Sequence, residues 1–324
     1  MADHRAQTIQ LEAYPSPAKC VGCESSSLFS TPSASQQHRL IRCLNCGTAC
    51  TWPKPGPAEL ESHYTQAYYG PENVKFVSPM EWIVEWMTQR RARRLHELLK
   101  KPGKILEIGC GRGLLLQELS HLRHDCYGTE RSSLAAARAL QIPGVKIFTH
   151  ALEDCRFPPG EFDMVLLWHV VEHLDSPEQV LREVSRILKP GGYLILEVPN
   201  LASLQARIFG RHWFHLDIPR HLYHFTVIGL THLLKRNSFT ITQTATFSLE
   251  QCPFGILQSL LNSVFPEGNV LYGILKQELR PRLVQRLLHL CLGAALALPA
   301  GVFAAGEAWL RRGAVIRITA RKAP

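Results

Sequence analysis

Three groups of residues in this sequence have types and spacings suited to chemistry. The first is Leu106-Glu107-Ile108-Gly109-Cys110-Gly111-Arg112-Gly113, between a strand-like run and a helix-like one (Leu114, Leu115, Leu116, Leu119). Glycines here let the backbone turn tightly and approach a ligand closely. The spacing Gly-x-Gly-x-Gly is one residue shorter than the dinucleotide fingerprint Gly-x-Gly-x-x-Gly. Glu107 beside the loop would repel a pyrophosphate but suits the ammonium of an amino acid. Glu130, at the end of the next strand-like run, suits both hydroxyls of a ribose. A ligand with a ribose and a cationic amino acid, but no phosphate, is S-adenosylmethionine. A turn that merely packs helix on strand would make both acids coincidences.

The second group is His169-Val170-Val171-Glu172-His173, which satisfies the H-x-x-E-H spacing of some zinc peptidases. Those histidines sit on a long helix, whereas this pattern starts as a strand ends and Asp175-Ser176-Pro177 soon interrupts any helix. The mouth of a cofactor pocket suits it better, because ligands of open α/β sheets sit at the carboxyl ends of strands. Methyl transfer from a sulfonium requires alignment above all. A hydroxyl or activated carbon acceptor must also lose a proton, which a histidine of pKa about 6.5 can take. His173 is the first candidate for that base, His169 the second and His221 the third. The bland alternative is a histidine that only hydrogen-bonds within the loop, and the acid–histidine pair could instead hold a divalent ion. Trp213 to Phe225 contains His215, Asp217, Arg220, His221 and His224 among aromatics, where acceptor-lining residues are expected.

The third group is Cys20-Val21-Gly22-Cys23 and Cys43-Leu44-Asn45-Cys46, two C-x-x-C pairs separated by 19 residues. Together they offer zinc four thiolates in a tetrahedral, closed and therefore structural site. Gly22 and Gly47 supply the tight backbone of such knuckles. Cys50 reads as a bystander, and Cys110, Cys126, Cys155, Cys252 and Cys291 as small core residues.

The elements that must position these groups follow from periodicity. Lys104–Ile108, Asp125–Gly128, Lys146–Phe148, Met164–Leu167, Tyr193–Val198, Phe239–Thr246 and Val315–Thr319 read as strands. Alternation with helical patterns indicates a parallel sheet covered by helices on both faces. Ser176, Pro177 and Gln179 predict a capped helix start, with an apolar stripe of Val180, Leu181, Val184, Ile187 and Leu188. Lys189-Pro190-Gly191-Gly192 then turns the chain into the next strand. Residues 58–101 alternate helical pattern with aromatics, including Tyr64, Tyr68 and Tyr69. Within them, Arg90-Arg91-Ala92-Arg93-Arg94 reads as a solvent face of a helix bearing Trp82, Trp86, Leu95, Leu98 and Leu99, with a binding patch as the alternative.

The glycine loop resembles motif I of class I S-adenosylmethionine-dependent methyltransferases. Phe162-Asp163-Met164-Val165, His169 to Leu174, and Leu188-Lys189-Pro190-Gly191-Gly192 resemble their later motifs. The branch is similar to the ubiquinone-biosynthesis O-methyltransferases and to zinc-ribbon methyltransferases acting on sugars, and the resemblance extends to Arg211-His212-Trp213-Phe214 and Pro219-Arg220-His221-Leu222. It implies an α/β fold with a Rossmann-like seven-stranded sheet, an N-terminal four-cysteine zinc ribbon, and a helical insertion before the last strand. It further implies that Glu107, Gly109, Gly111 and Gly113 hold the methionine part, Glu130 the ribose, Leu152 and Glu153 the adenine side, and that Trp168 with His169 closes the pocket. Ala151 stands where many relatives place an Asp near the adenine amino group, which leaves Glu153 or backbone groups for that contact. The expected organisation is a zinc ribbon (1–57), a helical linker or lid (58–101), the cofactor-binding core (102–250), an apolar helical insertion (251–312) and the final strand (313–324).

Hydrophobic residues make up 46% of the 324-residue chain and charged residues 19%, which fits a globular protein. Lys and Arg outnumber Asp and Glu by 36 to 27. Met1–Pro17 is polar and reads as no export signal, so the ten cysteines are expected as reduced thiols and metal ligands in the cytoplasm. Leu287–Gly306 is 20 residues without a formal charge, long enough to span a bilayer. His289, Pro299 and three glycines lower its hydrophobicity, and a lone span would part the final strand from its sheet. A re-entrant or interfacial hairpin, with membrane-surface contact through residues 283–312, or buried packing is expected instead. The expected activity is methylation of an oxygen or carbon on a small-molecule, lipid-linked or sugar acceptor. An RNA methyltransferase is the first rival, disfavoured because Trp168-His169-Val170 is no Asn/Asp-Pro-Pro-aromatic motif. A non-catalytic methyltransferase-like adaptor is the second.

Overall fold

Apolar runs that alternate with amphipathic helices bury both of their faces only as a sheet covered by helices. The computed structural model describes residues 17–31, 37–62 and 78–323 and shows that arrangement. Tyr64, Tyr68, Tyr69 and the segment before Pro17 lie outside the described residues. The main strands are β4 (Lys104–Ile108), β5 (Asp125–Thr129), β6 (Val145–Phe148), β7 (Phe162–Trp168), β8 (Leu188–Pro199), β10 (Phe239–Ala245) and β11 (Val315–Lys322). They form a seven-stranded sheet in the order β10-β11-β8-β7-β4-β5-β6. The five strands from β4 to β8 run parallel, but β11 runs antiparallel to both of its neighbours. The sheet is therefore mixed where alternation alone implied a parallel one. The reason lies in connectivity: the chain leaves β10, forms the helical insertion, and re-enters the sheet from the opposite end between β10 and β8.

Three further strands, β1 (Leu28–Ser30), β2 (Arg39–Cys43) and β3 (Ala49–Trp52), pair antiparallel; Cys20 and Cys23 precede β1, Cys43 ends β2 and Cys46 lies in the turn before β3. Helices are α1 (Pro57–Ser62), α2 (Ser78–Leu99), α3 (Leu114–His121), α4 (Ser133–Ala139), α5 (Pro177–Ile187), α6 (Leu204–Phe209), α7 (Val227–Arg236), α8 (Cys252–Val264), α9 (Val270–Leu275) and α10 (Leu283–Trp309). Period-two alternation splits the strand side chains between two layers. Leu106, Val165, Leu167 and Leu196 pack with α5 and α7 on one side, while Ile105, Met164 and Leu166 pack with α2 and α3 on the other.

Local signals met different fates. The stripe from Val180 to Leu188 is buried as its spacing predicts, and Pro177 opens α5. Ser176 precedes it, but its side chain makes no cap bond, so the capping box does not form. Strand β8 begins at Leu188, without the intervening turn expected at Lys189–Gly192. In α2, Ala92 and Leu95 are buried while Trp82 and Trp86 face outward. Cys110, Cys126 and Cys252 are core residues, whereas Cys291 is exposed on α10. Its helix offers one buried side only, and Cys291 falls on the other.

Candidate active site

The chain runs from β4 to β5 and β6 in one direction and to β7 and β8 in the other, so a crevice opens beside the carboxyl ends of β4, β5 and β7. The glycine loop fills its floor. Gly109, Gly111 and Gly113 all have positive φ (69°, 53° and 74°), a region that L-side chains rarely adopt. A Cβ at Gly109 would also stand 2.6 Å from Val170 Cγ2. The loop is tied down by the Gly109 and Cys110 N–H groups, which donate to the Thr129 carbonyl at 2.8 and 3.0 Å. Arg112 in the loop makes a two-pronged pair with Glu81 on α2, at 2.8 Å for each hydrogen bond.

Glu107 is buried, and its Oε2 has no hydrogen-bond partner. Burial raises its pKa, with Glu130 adding to the rise and Arg91 opposing it, and the carboxyl is pushed up to about 8. Glu130 accepts the N–H of Gly111 at 3.0 Å and of Ser132 at 2.9 Å. Burial raises its pKa as well, against the pull of these amides. Beyond β6, Leu152 is buried and Glu153 half-buried in a 3-10 turn over Leu152–Cys155. Trp168 ends β7 with its indole N–H buried and unpartnered. An unpaired carboxylate oxygen, a glycine cradle and a second acid on the adjacent strand fit an ammonium and a ribose as one ligand's two ends.

The residue after Trp168 adopts φ +53°, which swings His169 across the crevice. Its Nδ1 lies 3.2 Å from Glu172 Oε1 and its Nε2 3.2 Å from Glu197 Oε1. Burial works against the imidazolium, but the hydrogen bonds and charges of the two carboxylates outweigh it and lift the pKa to about 10. The two carboxylates thus favour the protonated form of His169, the second candidate base. Glu197 also accepts from Arg317 Nε at 2.7 Å, and although burial raises its pKa, His169 and Arg317 bring it down to about 2. Arg317 and Arg91 stack on Trp168, with guanidinium carbons 5.3 and 4.6 Å from the ring centroid. Arg91 also pairs with Glu250 at 2.6 Å, so one member of the arginine run faces the site where a solvent face was expected.

His173, on the 3-10 turn Val171–His173, donates from Nδ1 to the Arg220 carbonyl at 3.0 Å in the tautomer that leaves Nε2 as its basic nitrogen. His221 packs edge-on against it, with ring centroids 4.6 Å apart. Burial and the neighbouring His173 hold the pKa of His221 well below its usual value. Ligand atoms of Glu172, His173 and His221 lie within 4.8 Å of one another, and Glu172 Oε2 is buried and unpartnered. Sequence reasoning passed over Glu197 and Arg317, and met Arg91 only as one of an arginine run read as a solvent face with a binding patch as the alternative. A lone acid within the apolar run Tyr193–Val198 was the available signal for Glu197; nothing local marks Arg317.

The four sulfurs of Cys20, Cys23, Cys43 and Cys46 also lie within 4.8 Å of one another. Cys20 and Cys46 are 3.5 Å apart, and Cys23 and Cys43 3.6 Å. Four thiolates at the usual zinc distance form a tetrahedron with edges of about 3.8 Å, so the donor set fits zinc. This ribbon is joined to the core, because β3 pairs with β9 (Tyr223–His224), the strand that follows His221. Thr51 Oγ1 donates to the His221 carbonyl at 2.6 Å, and Thr226 Oγ1 to the Cys46 carbonyl at 2.6 Å. Arg236 on α7 donates to the carbonyls of Val21 and Gly22. Gly22 and Gly229 allow the two units to touch; a Cβ on Gly229 would stand 1.9 Å from Thr48 Oγ1.

A family model described as a methyltransferase domain matches residues 83–244, half of the chain. The ubiquinone biosynthesis O-methyltransferase of Methylococcus capsulatus is 30% identical over 132 residues, covering 38% of this chain and 55% of that protein. That of Roseobacter denitrificans is 36% identical over 143 residues, covering 40% and 57%. The chain spans about half the length of the curated relatives it matches. Among solved structures, a SAM-dependent methyltransferase from Archaeoglobus fulgidus is similar over 74% of this chain and 94% of its own, at 20% identity and a TM-score of 0.47. The 1,6-didemethyltoxoflavin N1-methyltransferase of Burkholderia thailandensis is similar over 90% and 97%, at 16% identity and a TM-score of 0.48. The matched stretch runs from α2 into β10 and holds the glycine loop, Glu130 and the turn from His169 to His173, so the chain belongs to the family of S-adenosylmethionine-dependent methyltransferases.

Proposed function

We propose that this protein transfers the methyl group of S-adenosylmethionine to an oxygen or carbon of a small-molecule, lipid-linked or sugar acceptor, with His173 as the base. The observation that carries the proposal is the buried, unpartnered oxygen of Glu107 beside the glycine loop, with Glu130 accepting the Gly111 N–H of that loop from the next strand. Glu107 takes the ammonium, the backbone of Gly109, Gly111 and Gly113 admits the methionine part, and Glu130 holds the ribose. Leu152 and Glu153 border the adenine, with Ala151 offering no side-chain contact, and Trp168 closes the pocket. When bound, the cofactor supplies an electrophilic methyl on a sulfonium whose leaving group is a neutral thioether. His173 Nε2 removes the acceptor proton as the new oxygen– or carbon–methyl bond forms and the sulfur–methyl bond breaks. His169, held as an imidazolium between Glu172 and Glu197, orients the turn that carries His173. His221 limits where the His173 ring can stand.

Cys20, Cys23, Cys43 and Cys46 hold a structural zinc in this reading, and the compartment is the cytoplasm, where thiols stay reduced. A second reading rests on the ligand atoms of Glu172, His173 and His221: they hold a divalent cation, which would take the nucleophile in place of a base. Calorimetric titration with S-adenosylmethionine, beside Glu130→Ala and a zinc assay on the same sample, is the first test. Micromolar binding that weakens at least tenfold in the variant is expected, with one zinc per chain; no binding by folded, zinc-loaded protein sinks the cofactor assignment. His173→Gln should keep cofactor affinity and lose turnover in an acceptor screen. Turnover that survives in the variant removes His173 from the chemistry in either reading; turnover that Mg2+ or Mn2+ restores to metal-stripped, zinc-reloaded protein favours the cation.

A further inference from the structure

We propose that the exposed side of α10 is a docking face for an anionic bilayer surface, on which the helix lies without crossing. α10 has 27 residues and is about 40 Å long at 1.5 Å per residue. It is apolar all round, a pattern that water tolerates only where every side is covered. Its protein-facing side is covered along most of its length: His289, Ala300, Ala304 and Glu307 are buried against α8, α9 and the α6 region. Its other side is bare, with Val284 80%, Leu298 77% and Trp309 86% exposed, and Leu287 and Val302 between them. Of the most apolar 18-residue window, 17% is buried. At about 100° per residue these exposed positions share one stripe opposite the buried one. A continuous apolar stripe of this length exceeds what soluble monomers normally leave bare.

Charge names the occupant. Arg280, Arg282 and Arg286 are exposed at one end of the stripe, and Arg311 and Arg312 at the other. The single carboxylate between Leu279 and Arg312 is Glu307, which is buried. An apolar stripe bracketed by unopposed guanidiniums, with a tryptophan beside the terminal pair, matches acyl chains under anionic headgroups. The same protein contacts that bury His289 near one end and Glu307 near the other leave a single side for lipid, which excludes a span. The face is also coupled to the crevice: α8 lies between α10 and the loop Trp213–Phe225, where Ser259 Oγ accepts the Phe214 N–H at 2.9 Å and the Gln251 carbonyl lies 3.3 Å from His215 Nε2. Resting on the reading of that crevice as the acceptor site, docking favours a lipid-linked acceptor.

The test is flotation of the full chain with phosphatidylcholine vesicles and with vesicles one-third phosphatidylglycerol. Recovery with the anionic vesicles, diminished by salt and by alkaline carbonate, is expected. Val284→Glu/Leu298→Glu/Val302→Glu should cut recovery about tenfold, and Arg311→Glu/Arg312→Glu should abolish the preference for anionic lipid. The altered side chains are exposed, so an unchanged melting temperature certifies the fold. A bimane label on Cys291, at the centre of the stripe, should shift to the blue with anionic vesicles. Equal soluble recovery of wild type and triple variant overturns the proposal. So does a dimer that the triple variant dissociates, which would make a second copy the occupant, and so does resistance to carbonate, which would make α10 a span. Flotation reads bilayer contact alone, so its failure leaves the methyl-transfer reading untouched, and failure of cofactor binding leaves docking untouched.

Discussion

A buried carboxyl with an oxygen that meets no donor is costly unless a cation completes it, and Glu107 is such a group. With its pKa raised to about 8, it is mostly protonated at neutral pH before ligand binds. An ammonium placed against it favours the ionised form, so cofactor binding at pH 7 should release a proton. Calorimetry in buffers of different ionisation enthalpy reads that release directly. Glu107→Gln should bind roughly ten- to a hundredfold more weakly, the cost of about 1.5–3 kcal/mol for a lost charged hydrogen bond, and should release no proton. Equal proton release in both proteins would move the titrating group elsewhere. Glu107 and Glu130 were readable in the sequence because each sits at the end of a strand next to its own loop, within one local unit. The charge state of His169 was not, because Glu197 is far along the chain and reaches it only when β8 pairs with β7.

At the scale of elements, the four-cysteine ribbon is pinned to the loop Trp213–Phe225 and to the start of α7. β3 supplies the edge to which β9 pairs, Thr51 Oγ1 holds the His221 carbonyl and lies 3.0 Å from His224 Nε2, and the Leu222 N–H donates to the Glu172 carbonyl at 2.8 Å. Metal-dependent order in the ribbon should therefore reach the crevice. Chelating the zinc proposed for the four cysteines is expected to speed amide hydrogen exchange at Leu222–Phe225 as well as in β1–β3, while exchange in β4 and β5 stays slow. Thr51→Val should reproduce the effect at Leu222–Phe225 with the metal still bound. Faster exchange confined to residues 17–52 after chelation would show that the ribbon folds without bracing the loop. The C-x-x-C pairs announce such a ribbon; where it docks depends on Gly22 and Gly229, more than 200 residues apart, whose missing Cβ atoms matter only once the surfaces meet.

Across the whole molecule, one charge network joins α2, the turn after β7, β8, β11 and the start of the insertion, through Arg91, His169, Glu172, Glu197, Arg317 and Glu250. His169 holds its proton to about pH 10 in the fold and to 6.5 in the reference state. Its contribution is complete below pH 6.5 and is lost as pH rises through 10. Glu197, at about 2 against 4.5, contributes above pH 4.5 and loses its contribution as pH falls through 2. Glu107 acts against the fold increasingly between pH 4.5 and 8, because the unfolded chain gives up a proton that the buried carboxyl retains. The melting temperature of the cofactor-free protein should therefore peak between pH 4.5 and 6.5 and decline towards pH 10. Glu197→Gln should lower the peak and flatten the alkaline decline, since a tenfold change in proton affinity is about 1.4 kcal/mol. An alkaline decline unchanged in that variant would place the responsible proton outside the His169 pair.

By itself the sequence determined the existence and order of every strand of the main sheet, though β8 begins five residues earlier than expected, together with the glycine loop with its two acids and the four-cysteine set. Each of these depends on periodicity or on neighbours within one turn, strand or knuckle, where covalent spacing already sets geometry. Only the tertiary structure decided that β11 runs antiparallel, that Arg91 turns inward while Arg93 and Arg94 stay exposed, and that His169 meets the carboxylates of Glu172 and Glu197. It also decided that one side of α10 is covered and the other bare. These outcomes depend on which distant residue arrives at a given place. Burial then multiplies the effect, because a charge or a bare apolar side chain has its energy set by what surrounds it.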